Sequence, residues 1–94
     1  MKKALIIVDV QNDFCEGGAL AVPGANEIIS YINLLMGENE YDKIVLTQDW
    51  HPANHKSFAS TNGKKVGDTI ILNGIPQFMW PDHCVQGTSG AEFH

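Results

Sequence analysis

Residues 4 to 10, Ala-Leu-Ile-Ile-Val-Asp-Val, form a short apolar run rich in β-branched side chains and broken only by Asp9. Runs of this length and type read as strands buried on both faces, the kind found in parallel sheets. Gly17-Gly18 and Pro23-Gly24 then punctuate a loop. From about Ala25 to Met36 the apolar residues fall at 28, 29, 32, 35 and 36. That is one stripe of an amphipathic helix, and Gly37 is well placed to end it. Lys43 to Gln48 predicts a second strand. Strand, helix and strand at this spacing make a βαβ unit, with parallel strands and a right-handed crossover.

After Asp49 the regularity fades. Residues 50 to 69 are polar and read as an exposed excursion, with Gly63, Lys64, Lys65 and Gly67 in it. Thr69 to Leu72 predicts a short strand and Asn73-Gly74 a turn. The fold class is therefore α/β, a parallel sheet flanked by helices. Two parallel strands and one helix would leave a sheet face and an edge uncovered, and residues 90–94 carry no stop signal. The pattern predicts part of a domain.

Composition narrows the function classes. At 94 residues with 44% apolar content the chain is one domain at most. A formal charge of -5, with scattered acidic residues, excludes nucleic acid and an anionic membrane as partners, since both need a basic face. The apolar stretches are too short to span a bilayer. Met1-Lys2-Lys3 ahead of Ala4 to Val8 resembles the start of a secretory signal, but Asp9 interrupts the run and no small-residue cleavage site follows. Cys15 and Cys84 could pair in principle, yet two cysteines make no disulfide framework. The expectation is a cytoplasmic protein with free thiols.

If the strands are parallel, Asp9 and Asp49 share the C-terminal edge of the sheet, outside which open α/β sheets bind their ligands. Among Ile7, Val8 and Val10 a charged Asp9 is costly unless something pairs with it, and burial against a nearby cation would tune it as a base. Capping the following turn, Gln11-Asn12-Asp13, is the other reading, and both stand open. Asp49-Trp50-His51 puts a carboxylate and an imidazole at i and i+2, on one side of an extended chain. With His83 as a third ligand, two imidazoles and one carboxylate leave open positions, as catalytic metal sites do. Asp-x-His alone is weak, and surface histidines are common. His55 is either a fourth ligand or a turn residue. Cys84 reads as structural, and Cys15 beside Glu16 lacks the electropositive setting of a reactive thiolate. Taken singly, Trp50, Trp80, Phe14 and Phe78 read as core.

Residues 5–24, LIIVDVQNDFCEGGALAVPG, resemble the opening of bacterial nicotinamidases/pyrazinamidases, in the isochorismatase-like hydrolase superfamily. Residues 47–59, TQDWHPANHKSFA, and 80–88, WPDHCVQGT, resemble the next two signatures of that family in order and spacing. The VDxQNDF opening is shared across the superfamily, whereas the other two segments are more specific. The resemblance implies a three-layer isochorismatase-like fold, of which residues 1–94 form the N-terminal half of a single domain. It also implies an amidohydrolase of NAD salvage that converts nicotinamide, and pyrazinamide with it, to nicotinate and ammonia through a cysteine thioester. Asp9 becomes the acid/base member of an Asp–Lys–Cys triad. Asp49, His51 and His83 become ligands of a divalent metal, usually zinc, with iron or manganese in some members, that binds the pyridine nitrogen. Phe14 and Trp80 flank the ring, and His55 matches a position that ligates in some members only. A homo-oligomer is a further expectation.

The triad lysine and cysteine are expected downstream of His94. Neither Cys15 nor Cys84 matches the nucleophile, and Lys43, Lys56, Lys64 and Lys65 do not match the lysine. The chain alone is therefore expected to be inactive. The alternatives are another hydrolase of the superfamily, which would lack the Asp-x-His pair, and a non-catalytic metal- or ligand-binding fragment.

Overall fold

The computed structural model describes residues 2–38 and 40–94; Asn39 and Met1, the first residue of the signal-like start, lie outside the described residues. Strand β1 (Ala4–Ile7) pairs in parallel with β2 (Lys43–Leu46), Ala4 opposite Lys43 and Ile7 opposite Leu46. The connection is helical, as the apolar stripe predicts, but it begins as a 3₁₀ turn over Ala25–Ile28 before helix α1 (Ile29–Gly37). Gly24 supplies the left-handed backbone (φ 77°) that turns the chain into it. Both strands are shorter than their apolar runs.

Burial on both faces, expected for the run at residues 4–10, is not what the structure has; it has the uncovered sheet face expected of two strands and one helix. Ile7 is buried, while Ile6 and Val8 are 62% and 66% exposed and β2 is open along its length. One helix can shield one face only. Ile29, Ile32 and Met36 border a narrow crevice of about 40 Å³ with Ile7, Leu46 and Phe93, and the opposite face stays open among the described residues.

The hairpin strands β3 (Thr69–Leu72) and β4 (Ile75–Phe78) pair antiparallel. Asn73-Gly74 joins them with positive φ at both positions (51° and 79°), as a two-residue turn matching the strand twist requires. Residues 50–69 are less of an excursion than their polarity predicts. They contain helix α2 (Ala59–Asn62), buried at its start through Ala59 and the preceding Phe58. The Asn62 amide donates back to the carbonyls of Lys56 (2.8 Å) and Phe58 (3.0 Å), so polar residues close this turn by side-chain bonds rather than by periodicity. Phe58, Met79, Cys84 and Ala91 have no exposed surface. Most of the core thus lies in the loops and short helical turns after β2.

The first loop is packed too closely for any side chain at Gly18, whose added Cβ would run into the main-chain carbonyls of Asn12 and Asp13. Gly18→Ala is expected to destabilise the chain by about 1–3 kcal/mol, the usual cost of overpacking. Gly37→Ala, which meets open space at the helix end, should be neutral or stabilising by about 0.4–1 kcal/mol. Urea denaturation of the two variants checks the difference.

Candidate metal centre

Beyond β2 the loops are zipped together as short parallel bridges, His51 with Val85 and Phe58 with Trp80. The His51 N–H donates to Cys84 O at 2.9 Å and the Gln86 N–H to His51 O at 2.8 Å. This pairing carries His83 to His51 across the 32 positions that separate them, which spacing alone could not establish. Asp13 locks the second loop: one carboxylate oxygen accepts the Cys84 N–H at 2.7 Å, where Cys84 takes a left-handed conformation (φ 48°).

Asp49, His51 and His83 converge. One donor atom from each lies within 4.8 Å of the others, and His51 Nε2 is 3.5 Å from Asp49 Oδ2. The i and i+2 positions therefore do meet on one side. The imidazoles of His51 and His83 are edge-to-face at 5.1 Å, and both rest on the buried ring of Phe58. His83 Nδ1 lies 2.8 Å from Pro81 O. A carbonyl can only accept, so Nδ1 is the donor here and Nε2 is the nitrogen left to face an ion, as is typical of ligating histidines. A carboxylate and two imidazoles of this kind fit a divalent ion such as zinc.

His55 stacks 4.5 Å from His51 but is engaged differently. Its Nδ1 receives the Ser57 N–H at 3.2 Å and faces Ser57 Oγ at 2.7 Å. Burial, then His51 and His83, hold its pKa below the ordinary histidine value, with Asp49 opposing. It neighbours the cluster with its Nδ1 engaged by Ser57.

Asp9 sits at the same edge, with φ 53°. Its N–H donates to Thr47 Oγ1 at 3.0 Å, and Thr47 Oγ1 donates back to Asp9 Oδ1 at 2.7 Å. The carboxylate is thus aimed by Thr47, whereas the 3₁₀ turn Asn12–Phe14 has no side-chain cap. The capping reading of Asp9 is not borne out. Asp9 borders an apolar cleft of about 420 Å³, and Asp49, His51 and His83 border a second of about the same size; Phe14 stands between and lines both. Trp80 lines the second cleft and is 39% exposed, so it is not core. Trp50, 51% exposed, is not core either.

Both cysteines are free and buried. Burial, then Asp13, Asp49 and Asp9, push the Cys84 thiol up to about 12. Burial, then Glu16, raise that of Cys15. Neither is an activated nucleophile. Sequence reasoning missed the supporting residues Gln11, Asp13 and Thr47, whose long-range partners lie 38 to 80 positions away. The one signal for Gln11 and Asp13 was their place in the VDxQNDF opening.

A carboxylate and two imidazoles gathered at the C-terminal edge of a parallel β-pair define an α/β chain with a metal-competent edge. No family model matches it. The chain is 60% identical over 92 residues to the nicotinamidase of Acinetobacter baylyi, covering 97% of this chain and 42% of that protein. To the Escherichia coli nicotinamidase it is 48% identical over 94 residues, covering 98% and 44%. Among solved structures, an Acinetobacter baumanii nicotinamidase/pyrazinamidase superimposes with TM-score 0.88 at 53% identity, covering 99% of this chain and 44% of that one. Yeast nicotinamidase bound to the inhibitor nicotinaldehyde gives 0.85 at 38% identity, covering 96% and 47%. The pyrazinamidase of Pyrococcus horikoshii in complex with zinc gives 0.74 at 43%, covering 99% and 45%. By sequence and by fold this chain is a homologue of the nicotinamidases and pyrazinamidases, and it spans less than half the length of these relatives.

Proposed function

We propose that this chain carries the metal- and ring-binding half of a nicotinamidase that hydrolyses nicotinamide, and pyrazinamide with it, to the acid and ammonia. The observation that carries the reading is the convergence of Asp49, His51 and His83 within 4.8 Å, on a chain homologous to nicotinamidases along nearly its whole length. Residues 1–94 then form the first half of one three-layer isochorismatase-like domain. No helix among the described residues is long and apolar enough to cross a membrane, and two unpaired thiols suit the reducing cytoplasm.

In this reading Asp49, His51 and His83 hold a divalent ion, zinc first and iron or manganese as alternatives. Bound there, such an ion acts as a Lewis acid that fixes and polarises its ligand. Phe14 and Trp80 flank the pyridine ring. Asp9, aimed by Thr47, accepts the proton of a cysteine thiol outside this chain's two, and the thiolate attacks the carboxamide carbon. The C–N bond breaks, ammonia leaves with a proton from Asp9, and water then attacks the thioester to release nicotinate and the thiol.

The test is a chimera in which this chain is continued by the residues that follow the matched region in the Acinetobacter baylyi nicotinamidase. It should hydrolyse nicotinamide, while the 94-residue chain alone, verified by intact mass, should not. A folded chimera that binds zinc without turnover favours a non-catalytic module instead. Turnover by the chain alone contradicts the need for an outside nucleophile.

A further inference from the structure

Gln11 sits where the sheet gives out. The β1–β2 ladder ends with the Thr47 N–H on Ile7 O at 2.9 Å, after which the chain following β1 turns at Asp9. There the Gln11 carboxamide reaches Asp49. Its Oε1 accepts the Asp49 N–H at 2.9 Å, its Nε2 donates to Asp49 O at 2.8 Å, and Nε2 also donates to Ala91 O at 2.8 Å. The side chain reproduces the two-point pairing of a neighbouring strand beyond the end of the real one. It has no exposed surface, and its own main chain is pinned by a bridge to Phe93 and by its N–H on Asp9 O at 2.9 Å.

We infer that Gln11 is the positioning residue of the metal centre: its carboxamide sets the Asp49 main chain, and with it the carboxylate, at the distance from His51 and His83 that a divalent ion needs. This rests on the metal reading above. A ligand just past a strand end would otherwise have to be ordered when the ion binds, at a cost in affinity. A buried amide that holds both main-chain groups of Asp49 removes that cost before the ion arrives. Oriented outer-shell partners of metal ligands are typically worth about 10–100-fold in affinity.

Gln48 provides an internal comparison. Its Nε2 donates to the same Ala91 O at 2.8 Å, but from an exposed side chain that makes no bond to the Asp49 main chain. The experiment is a zinc titration of the 94-residue chain against a chromophoric chelator, with the visible spectrum of the cobalt-substituted chain as a second readout. Gln11→Met keeps length and volume and makes none of the three bonds. It should weaken zinc about 10–100-fold and alter the cobalt bands, whereas Gln48→Met should leave both unchanged. If Gln11→Met does not fold, Gln11→Asn is read instead, one methylene short of Asp49 and with the same expectation. A folded Gln11 variant with wild-type zinc affinity and cobalt spectrum overturns the inference. So does an equal loss in Gln48→Met, which would trace the effect to the Ala91 segment. A wild-type chain that binds no zinc overturns the metal reading itself, and this inference with it.

Discussion

Asp9→Asn, introduced into the active chimera, is expected to lower kcat/KM for nicotinamide by about 10²–10⁴-fold, the usual contribution of a positioned acid/base. Its zinc affinity should stay within about twofold of wild type. Asparagine is nearly isosteric and its Oδ1 can still accept from Thr47 Oγ1, which lies 2.7 Å from the native oxygen. The main-chain bond from residue 9 to the same hydroxyl, 3.0 Å, is untouched. The substitution therefore removes the proton acceptor and little else. Steady-state kinetics with a zinc titration on the same protein separate the two quantities. Equal losses in activity and in zinc affinity would place Asp9 in the metal centre rather than beside it.

The second large effect is on stability. Asp49 and His51 lie more than 30 positions from His83 and meet it through the loop pairing of His51 with Val85, so an unfolded chain offers no equivalent site. An ion that binds the native state alone, at 100 times its Kd, adds about 2.7 kcal/mol to the free energy of unfolding. For a domain of this size, at roughly 4–8 °C per kcal/mol, Tm should rise by roughly 10–20 °C. The core is small and much apolar surface remains open, from Ile6 and Val8 to Tyr31 and Leu34, so that gain is a large share of the total. Asp49→Ala and His83→Ala should abolish the shift. Scanning calorimetry with zinc and with chelator gives the answer, and a shift retained by both variants would mean that zinc binds elsewhere.

The parts of the fold legible in the sequence are those with a local cause. Ala4–Ile7 and Lys43–Leu46 announce themselves by β-branched apolar runs, α1 by its stripe, and the hairpin turn by Asn73-Gly74, which takes the positive φ values that pair of residues permits. From parallel strands it followed that Asp9 and Asp49 share one edge. What was not legible depends on contacts between distant segments. The exposed second face of β1 is a non-local feature that could be foreseen, since one helix cannot cover both faces of a β-pair. Phe58 becomes the floor under two histidines only because residues 57–59 pair with Trp80. His83 joins Asp49 and His51 through hydrogen bonds at Cys84 and Gln86, not through spacing. Gln11, Asp13 and Thr47 gave no periodic signal, since each works through one long-range hydrogen-bond partner or two. The resemblance named Asp49, His51 and His83; the coordinates bring the three together and add which nitrogen of His83 faces Pro81 O and what holds Asp49 in place.

Everything proposed for the site requires one divalent ion between Asp49, His51 and His83. Zinc-edge anomalous diffraction from crystals of the chain grown with one equivalent of zinc tests it directly. A single strong peak is expected within coordination distance of a carboxylate oxygen of Asp49, a ring nitrogen of His51 and Nε2 of His83. A peak at the thiol of Cys84 or among Asp13 and Glu16, with that cluster vacant, would contradict it.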